Sequence, residues 1–248
     1  MSSAAIENTA DQTPPVEALA SIEGMTGPLS QRVYTALRKA ILDLTFPPGT
    51  VLRKAAICAR FGVSRSPVAE AITLLGAEGL VEVIPQSATR VARFSLDEIR
   101  EESFLRDAIE TTAAARVAEG RTDDQLAQLT RNLRLQGLLV EDRDYPGFLE
   151  ADEAFHTLIL SFTGYRKAVD LAGQLSLKLR RARLLMIPDE GRAAAALAEH
   201  TAIVDAIRAG DGEAATRVMR HHLSQLLGQI EPLERAHPDF FLSRGGIG

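Results

Sequence analysis

The 248-residue chain carries 28 Lys and Arg against 33 Asp and Glu, a formal net charge of -5, and is 46% hydrophobic. That length allows two cores, whereas no apolar run approaches the ~18 residues of a membrane span and no basic-then-apolar leader opens the chain, so a soluble, cytoplasmic protein is expected. The single cysteine, Cys58, excludes an intramolecular disulfide framework and any CxxC metal knuckle, and reads as a small packing residue.

The charge is unevenly distributed. Residues 1–27 hold four acids and no base, residues 28–94 hold nine Lys/Arg against four Asp/Glu, and the remainder holds 19 against 25, so a basic module precedes an acidic one. Residues 1–27, rich in Ala, Ser, Thr and Pro, lack the apolar side chains that offset ordering entropy and are expected to form a flexible tail. Ser30 is then expected to cap a helix with the stripe Val33, Leu37, Ile41 and Leu44, stopped by "FPPG". A short second helix through Ile57 ends at Gly62, and a third runs from about Arg65 with Val68, Ile72 and Leu75 inward, closing at Gly79. "LVEVIP" alternates as a strand, "QSAT" turns, and "RVARF" returns beside it. Three helices and a hairpin predict a winged helix-turn-helix domain over 28–94.

On the third helix the outward positions are Arg65, Ser66, Ala69 and Thr73. Arg65 can fork onto a guanine edge or a phosphate, and Ser64, at the positive helix end, also suits a phosphate. Arg53, Lys54 and Arg90 are candidate contacts to the DNA backbone. The stretches "LSQRVYTALRKAIL", "PPGTVL", "FGVSRSPV", "EAI" and "EGLVEVIP" resemble the N-terminal domain of the GntR family of bacterial transcription regulators. Family members usually have arginine where this chain has Ala69, and an Arg-Gly pair at the wing tip where it has Ser87 and Ala88. Those departures bear on affinity and on the operator sequence.

From Ser95 only helical patterns remain, opened by the capping boxes "SLDE" and "TDDQ". Helices are expected at about 96–119, 123–140, 147–162, 166–187, 191–209 and 213–230, as an all-α antiparallel bundle over 95–232 followed by a C-terminal tail, 233–248. Within "YPGFLEADEAFHTLILSFTG", Asp152 and His156 share one helix face with a rise of ~6 Å between them. His200 and His222 also fall on inward stripes, whereas His221 sides with Arg217, Ser224 and Gln225. Asp211, centred in the turn "RAGDGE", lies 11 residues from each, so antiparallel arms of ~16 Å bring the two imidazoles level. One Asp with three His suits a divalent transition metal such as Zn, Ni or Mn, and four inward polar groups are costly to bury unpaired.

These residues resemble the FadR-like GntR subfamily, whose C-terminal domain is of the FCD type. The resemblance implies an ion held by Asp152, His156, His200 and His222 at the floor of an effector pocket open to a small carboxylate, a homodimer, and repression of a double-stranded operator. Arg106 lies on an inward stripe and can pair either with such an acid or with Glu110. The facing of Arg180 and Arg183 is open, since their helix is apolar almost all round. Two other readings are a metal-dependent hydrolase and a metal-stapled interaction domain. The first lacks a clearly placed general base, Glu153 and Glu199 being expected to point away from the ligands, and it leaves the front module unexplained.

Overall fold

In a computed structural model, residues 16–186 and 191–242 are described. The chain forms two compact units, one from residues up to Phe94 together with those from His237 onward, the other Ser95–Ala236.

The first unit contains α1 (Leu29–Leu42), α2 (Lys54–Phe61), α3 (Arg65–Ala77), β1 (Val81–Ile84) and β2 (Ala88–Val91). Val33, Leu37 and Ile41 of α1 and Val68, Ile72 and Leu75 of α3 form its buried faces, and the two helices pack together. Each such side chain contributes about 1.5–3 kcal/mol by leaving water. Ser30 lies inside α1 and is not its cap: Pro28 takes that position with φ -58°, and its carbonyl accepts from Arg32 N–H at 3.1 Å. Leu44 falls beyond the helix at φ 59°, because α1 closes at Asp43, whose N–H donates to the Lys39 carbonyl at 2.9 Å. Gly62, at φ 64°, ends α2 in the left-handed conformation a glycine adopts without a Cβ penalty.

The wing strands are antiparallel with Val81 opposite Val91 and Ile84 opposite Ala88. The return strand therefore begins at Ala88, two residues before the expected Arg90, since Pro85, Gln86 and Ser87 complete the turn with Gln86 at φ 58°. "PPGTVL" lies along β2: Leu52 N–H donates to Thr89 C=O and Val91 N–H to Thr50 C=O, each at 2.8 Å.

Neither expected tail is a tail over its described residues. Val16–Ala18 makes a 3-10 turn, Leu19 and Ile22 are buried, and the Leu19 carbonyl accepts from Arg60 Nη2 at 2.7 Å. Burial of two apolar side chains and one charge-assisted hydrogen bond offset the ordering that composition alone argued against. Residues 1–15 lie outside the described residues. At the other end Pro238–Phe240 makes a 3-10 turn and Phe241 is buried.

The second unit is six helices: α4 (Leu96–Gly120), α5 (Asp123–Glu141), α6 (Tyr145–Phe162), α7 (Arg166–Met186), α8 (Arg192–Ala209) and α9 (Gly212–Ala236). Ser95 accepts from Glu98 N–H, and Thr122 and Gln125 form a reciprocal capping box. Helix α6 starts two residues before the expected 147, since Asp144 accepts from Gly147 N–H at 3.0 Å and Pro146 fits a first turn that needs no donor there. Helix α9 continues through Pro232 to Ala236. The core joins Ala114 and Val117 of α4, Leu129 of α5, Phe155 and Ile159 of α6, Ile203 and Ile207 of α8, and Met219 of α9. With α4 packed on α6, α8 and α9, three helices are fixed at the depth where polar side chains meet.

Candidate functional site

Asp152 and His156 on α6, His200 on α8 and His222 on α9 converge, each buried, with one ligand atom from each within 4.8 Å of the others. His222 Nε2 lies 3.2 Å from both His200 Nε2 and His156 Nε2. Asp152 completes the group, Oδ1 at 3.6 Å from His200 Nε2 and Oδ2 at 3.8 Å from His156 Nε2. His221, about 100° further round α9, is exposed, as its sequence neighbours indicate.

What fixes the rings is a surrounding layer of acceptors. His156 Nδ1 lies 2.5 Å from Glu110 Oε2, His200 Nδ1 2.7 Å from Gln136 Oε1, and His222 Nδ1 2.6 Å from Glu199 Oε2. Gln136 is oriented by donating to Asn132 Oδ1 at 2.7 Å, and Asn132 in turn donates to the Ala151 carbonyl at 2.9 Å. Hydrogen-bond acceptors at Nδ1 of His200 and His222 assign their protons there, while Glu110 Oε2 approaches Nδ1 of His156 as a close charge without a formed hydrogen bond, and the three Nε2 atoms face one another. Such an arrangement is repulsive by itself and suits a shared cation, which is the test the donor set passes.

The electrostatics agree. Burial alone would raise Asp152, but Arg183 and the imidazoles hold it well below the usual carboxylate range; Arg106 and His156 do the same for Glu110. Glu199 is brought down to about 2, its burial outweighed by the Arg192 fork and His222. Burial pushes His200 well down and His222 down, the latter against the pull of Glu199, so both imidazoles are neutral, as metal ligands must be.

Beside this cluster lies a cavity of about 50 Å³, partly open to solvent, whose polar lining is Arg106, Asp152, Arg183, Arg192, His222 and Gln229. Arg106 Nε donates to Glu110 Oε1 at 2.7 Å, so the intrahelical ion pair and a place in the cavity wall coexist. Arg183 is paired with Asp152, and its Nη1 is buried without a hydrogen-bond acceptor among the described residues. Arg180 turns instead to Glu153 at 2.8 Å. The expectation for Glu199 is corrected: it adjoins His200 in sequence yet faces His222, gripped by both Nη atoms of Arg192 at 2.8 Å. Sequence reasoning missed Gln136 and Arg192, left the facing of Arg183 open, turned Glu199 away from the ligands, and saw Glu110 only as a partner for Arg106.

In the winged unit Ser64, Arg65, Ser66, Ala69 and Thr73 are exposed along one side of α3. Ser64 occupies the cap position without a side-chain cap bond, Ser66 donates to Glu70 at 3.1 Å, and Thr73 donates to the Ala69 carbonyl at 3.0 Å. Arg53 and Lys54 are exposed at the start of α2. Arg90 is half-buried, its Nε without a hydrogen-bond partner among the described residues.

Residues 29–91 match the bacterial regulatory proteins of the gntR family, and residues 103–225 match the FCD domain. The HTH-type transcriptional repressor RspR of Escherichia coli K12 is 32% identical over 216 residues, covering 87% of this chain and 95% of RspR. This chain belongs to the GntR family. It is a transcription regulator with a GntR helix-turn-helix domain followed by a helical FCD domain. The gluconate operon transcriptional repressor of Bacillus licheniformis, a more distant GntR-family relative, is 24% identical over 82% of this chain and 85% of its own length. Among solved structures, a putative GntR transcriptional regulator from Rhodococcus sp. RHA1 superposes with TM-score 0.71 at 27% identity, covering 82% of this chain and 97% of that one. Neither matched family is catalytic, and no helix among the described residues is long and apolar enough to cross a membrane.

Proposed function

We propose that this GntR regulator is a cytoplasmic, homodimeric repressor whose 95–232 region senses a small carboxylate through a metal-containing pocket and whose 28–94 region reads an operator. The observation that carries the reading is the convergence of three Nε2 atoms on the Asp152 carboxylate, with Nδ1 of His200 and His222 hydrogen-bonded to acceptors and Glu110 close to Nδ1 of His156. Asp152, His156, His200 and His222 would hold a divalent Zn, Ni or Mn ion, which when bound supplies positive charge and coordination positions open to a carboxylate. Gln136 and Glu199 keep the ring protons of His200 and His222 off the metal side and fix those ring planes, and Glu110 sets a negative charge beside Nδ1 of His156. Asp152 stays ionised under Arg183. Arg106 and Arg183, in the cavity wall, would receive the effector's carboxylate. In this scheme the carboxylates nearest the ligands are already committed, Glu110 and Glu199 to imidazole and guanidinium and Glu153 to Arg180, so a hydrolytic reading lacks a general base.

On the DNA side, Arg65 would contact base or phosphate, with Ser64, Ser66, Thr73, Arg53, Lys54 and Arg90 positioning the helix on the duplex. Two such domains in a homodimer would address half-sites about 34–36 Å apart. The effector would act by shifting the population of domain placements that fit both half-sites.

Elemental analysis of the untagged protein tests the pocket. About one ion per chain is expected in the wild type and in His221→Ala, with loss in His222→Ala. No ion in the wild type after incubation with Zn, Ni and Mn would end the metal reading and leave a buried hydrogen-bonded cluster.

A further inference from the structure

We propose that Asn132 and Gln136 on α5 form a polarity relay that decides which nitrogen of His200 carries the ring proton, so that α5 belongs to the metal centre although it supplies none of the four candidate ligands. At His156 and His222 the neighbour of Nδ1 is a carboxylate, Glu110 or Glu199, which when ionised can only accept, whichever way it is turned. At His200 the neighbour is the Gln136 amide, which accepts through Oε1 or donates through Nε2 according to its orientation. A group beyond Gln136 must therefore make the choice.

That group is a backbone carbonyl. Ala151 C=O can only accept, so Asn132 turns Nδ2 toward it and donates at 2.9 Å. Asn132 then presents Oδ1 to Gln136, which donates to it through Nε2 at 2.7 Å. Gln136 is left with Oε1 for His200, 2.7 Å from Nδ1, and the imidazole supplies the N–H. Each link forces the next, and the proton ends on Nδ1 with the Nε2 lone pair turned toward His222. The opposite tautomer has partners of its own. An Nε2–H would face His222 Nε2 at 3.2 Å and Asp152 Oδ1 at 3.6 Å. In the metal-free protein those two acceptors draw the proton to the side where an ion would bind, and the relay opposes them.

Burial holds the relay in register. Gln136 and His200 are fully buried, Asn132 is half-buried, and α5 packs on both α6 and α8. Asp152, Glu110 and Glu199 already place three carboxylates around the imidazoles, and a further buried one at position 136 would need a counter-charge of its own, which a neutral amide does not. Ala151 directly precedes Asp152, so the relay ties the proton of one candidate ligand to the helix that carries two others. Asn132 acts through Gln136 and is a positioning residue. The tautomer follows from hydrogen bonds within the helical unit; its effect on affinity rests on the metal reading above.

Long-range nitrogen–proton correlation spectra of the full chain, made with isotope-labelled histidine and stripped of metal by chelator, read the tautomer directly. His200→Gln identifies the His200 signal. The wild type is expected to carry the proton on Nδ1, and Asn132→Leu to move it to Nε2. Asn132→Asp still accepts from Gln136 Nε2 and should keep the wild-type tautomer, whereas a merely structural role makes the charged side chain at least as disruptive as leucine. A wild-type proton on Nε2, an unchanged tautomer in Asn132→Leu, or a shifted one in Asn132→Asp each overturns the relay. Should Asn132→Leu fail to fold, Gln136→Met decides, since it removes the acceptor in a side chain of similar length. A proton moved to Nε2 supports the relay there, and one left on Nδ1 overturns it. In chelator competition Asn132→Leu should bind Zn about 10–100-fold more weakly than wild type, with Asn132→Asp between the two. Equal affinity of Asn132→Leu and wild type would detach the relay from the metal centre. A wild type that takes up no ion yet shows the expected tautomers ends the metal reading and leaves the relay in place, so the two failures register as different results.

Discussion

The two units spend polarity in opposite ways. Among the described residues of the winged unit the fully buried polar side chains are Thr50 and Thr89, and the residues assigned to DNA are exposed apart from the half-buried Arg90. In the helical unit Arg106, Glu110, Gln136, Asp152, His156, His200 and His222 are all buried. A surface reader can change its contacts with small effects on folding, since exposed side chains contribute little to stability. An interior sensor cannot, because each buried polar group depends on the next for its partner. Losses should therefore be large and coupled in the second unit, and small and local in the first.

The sharpest way to break this contrast is Asp152→Ala. It strips Arg183 of its buried counter-ion and the imidazoles of their carboxylate, and should cost about 3–5 kcal/mol in denaturant unfolding along with the bound metal. A loss under about 1 kcal/mol would mean that the interior polarity is not interdependent. Glu110→Gln acts through His156 and should weaken metal about 10–100-fold in chelator competition. An unchanged affinity would separate Glu110 from the centre. Arg65→Ala should cost about 1–3 kcal/mol against a duplex selected by the wild type from a random pool, with helical-unit unfolding unchanged. If the same change also lowers metal content, the units are not as independent as their interiors suggest.

Acid gives a graded test. His200 and His222 are held below their unfolded values, so between those values and the unfolded pKa of about 6.5 the unfolded chain binds more protons than the folded one. Stability of the metal-free protein should fall as pH drops below about 6.5, by up to about 1.4 kcal/mol per pH unit for each group. Glu199, brought to about 2, adds a further loss as pH falls below about 4.3. A melting temperature flat from pH 7 to 5 would contradict buried neutral imidazoles. The smallest effect belongs to His221→Ala, expected within about 0.5 kcal/mol of wild type in the same melts.

The same contrast explains what was legible beforehand. Helix positions and the convergence of Asp152, His156, His200 and His222 follow from periodicity, i,i+4 spacing and the equal arms about Asp211, all of which are local or nearly so. The supporting layer does not: Glu110, Gln136 and Arg183 come from α4, α5 and α7, and only packing decides which side chain meets which imidazole. Glu199 was misplaced because its spacing from His200 was weighed, whereas its partner is on the next helix. The ends were misread for a different reason. Leu19 and Ile22 sit among small and polar residues and Phe241 in the three-residue run Phe240 to Leu242, too short for a period to announce their burial.

The turn between α8 and α9 has a consequence for how this gene can vary. Gly210 at φ 75° ends one helix and Asp211 accepts from Ala214 N–H at 2.8 Å to start the next, so the crossing takes two residues. His200 and His222 meet because that count is fixed. One added codon there would rotate His222 about 100° around its helix unless the new residue looped out, separating imidazoles now 3.2 Å apart without altering any ligand. Reading-frame-preserving insertions, ordinarily absorbed by surface loops, should therefore be rare at this exposed bend.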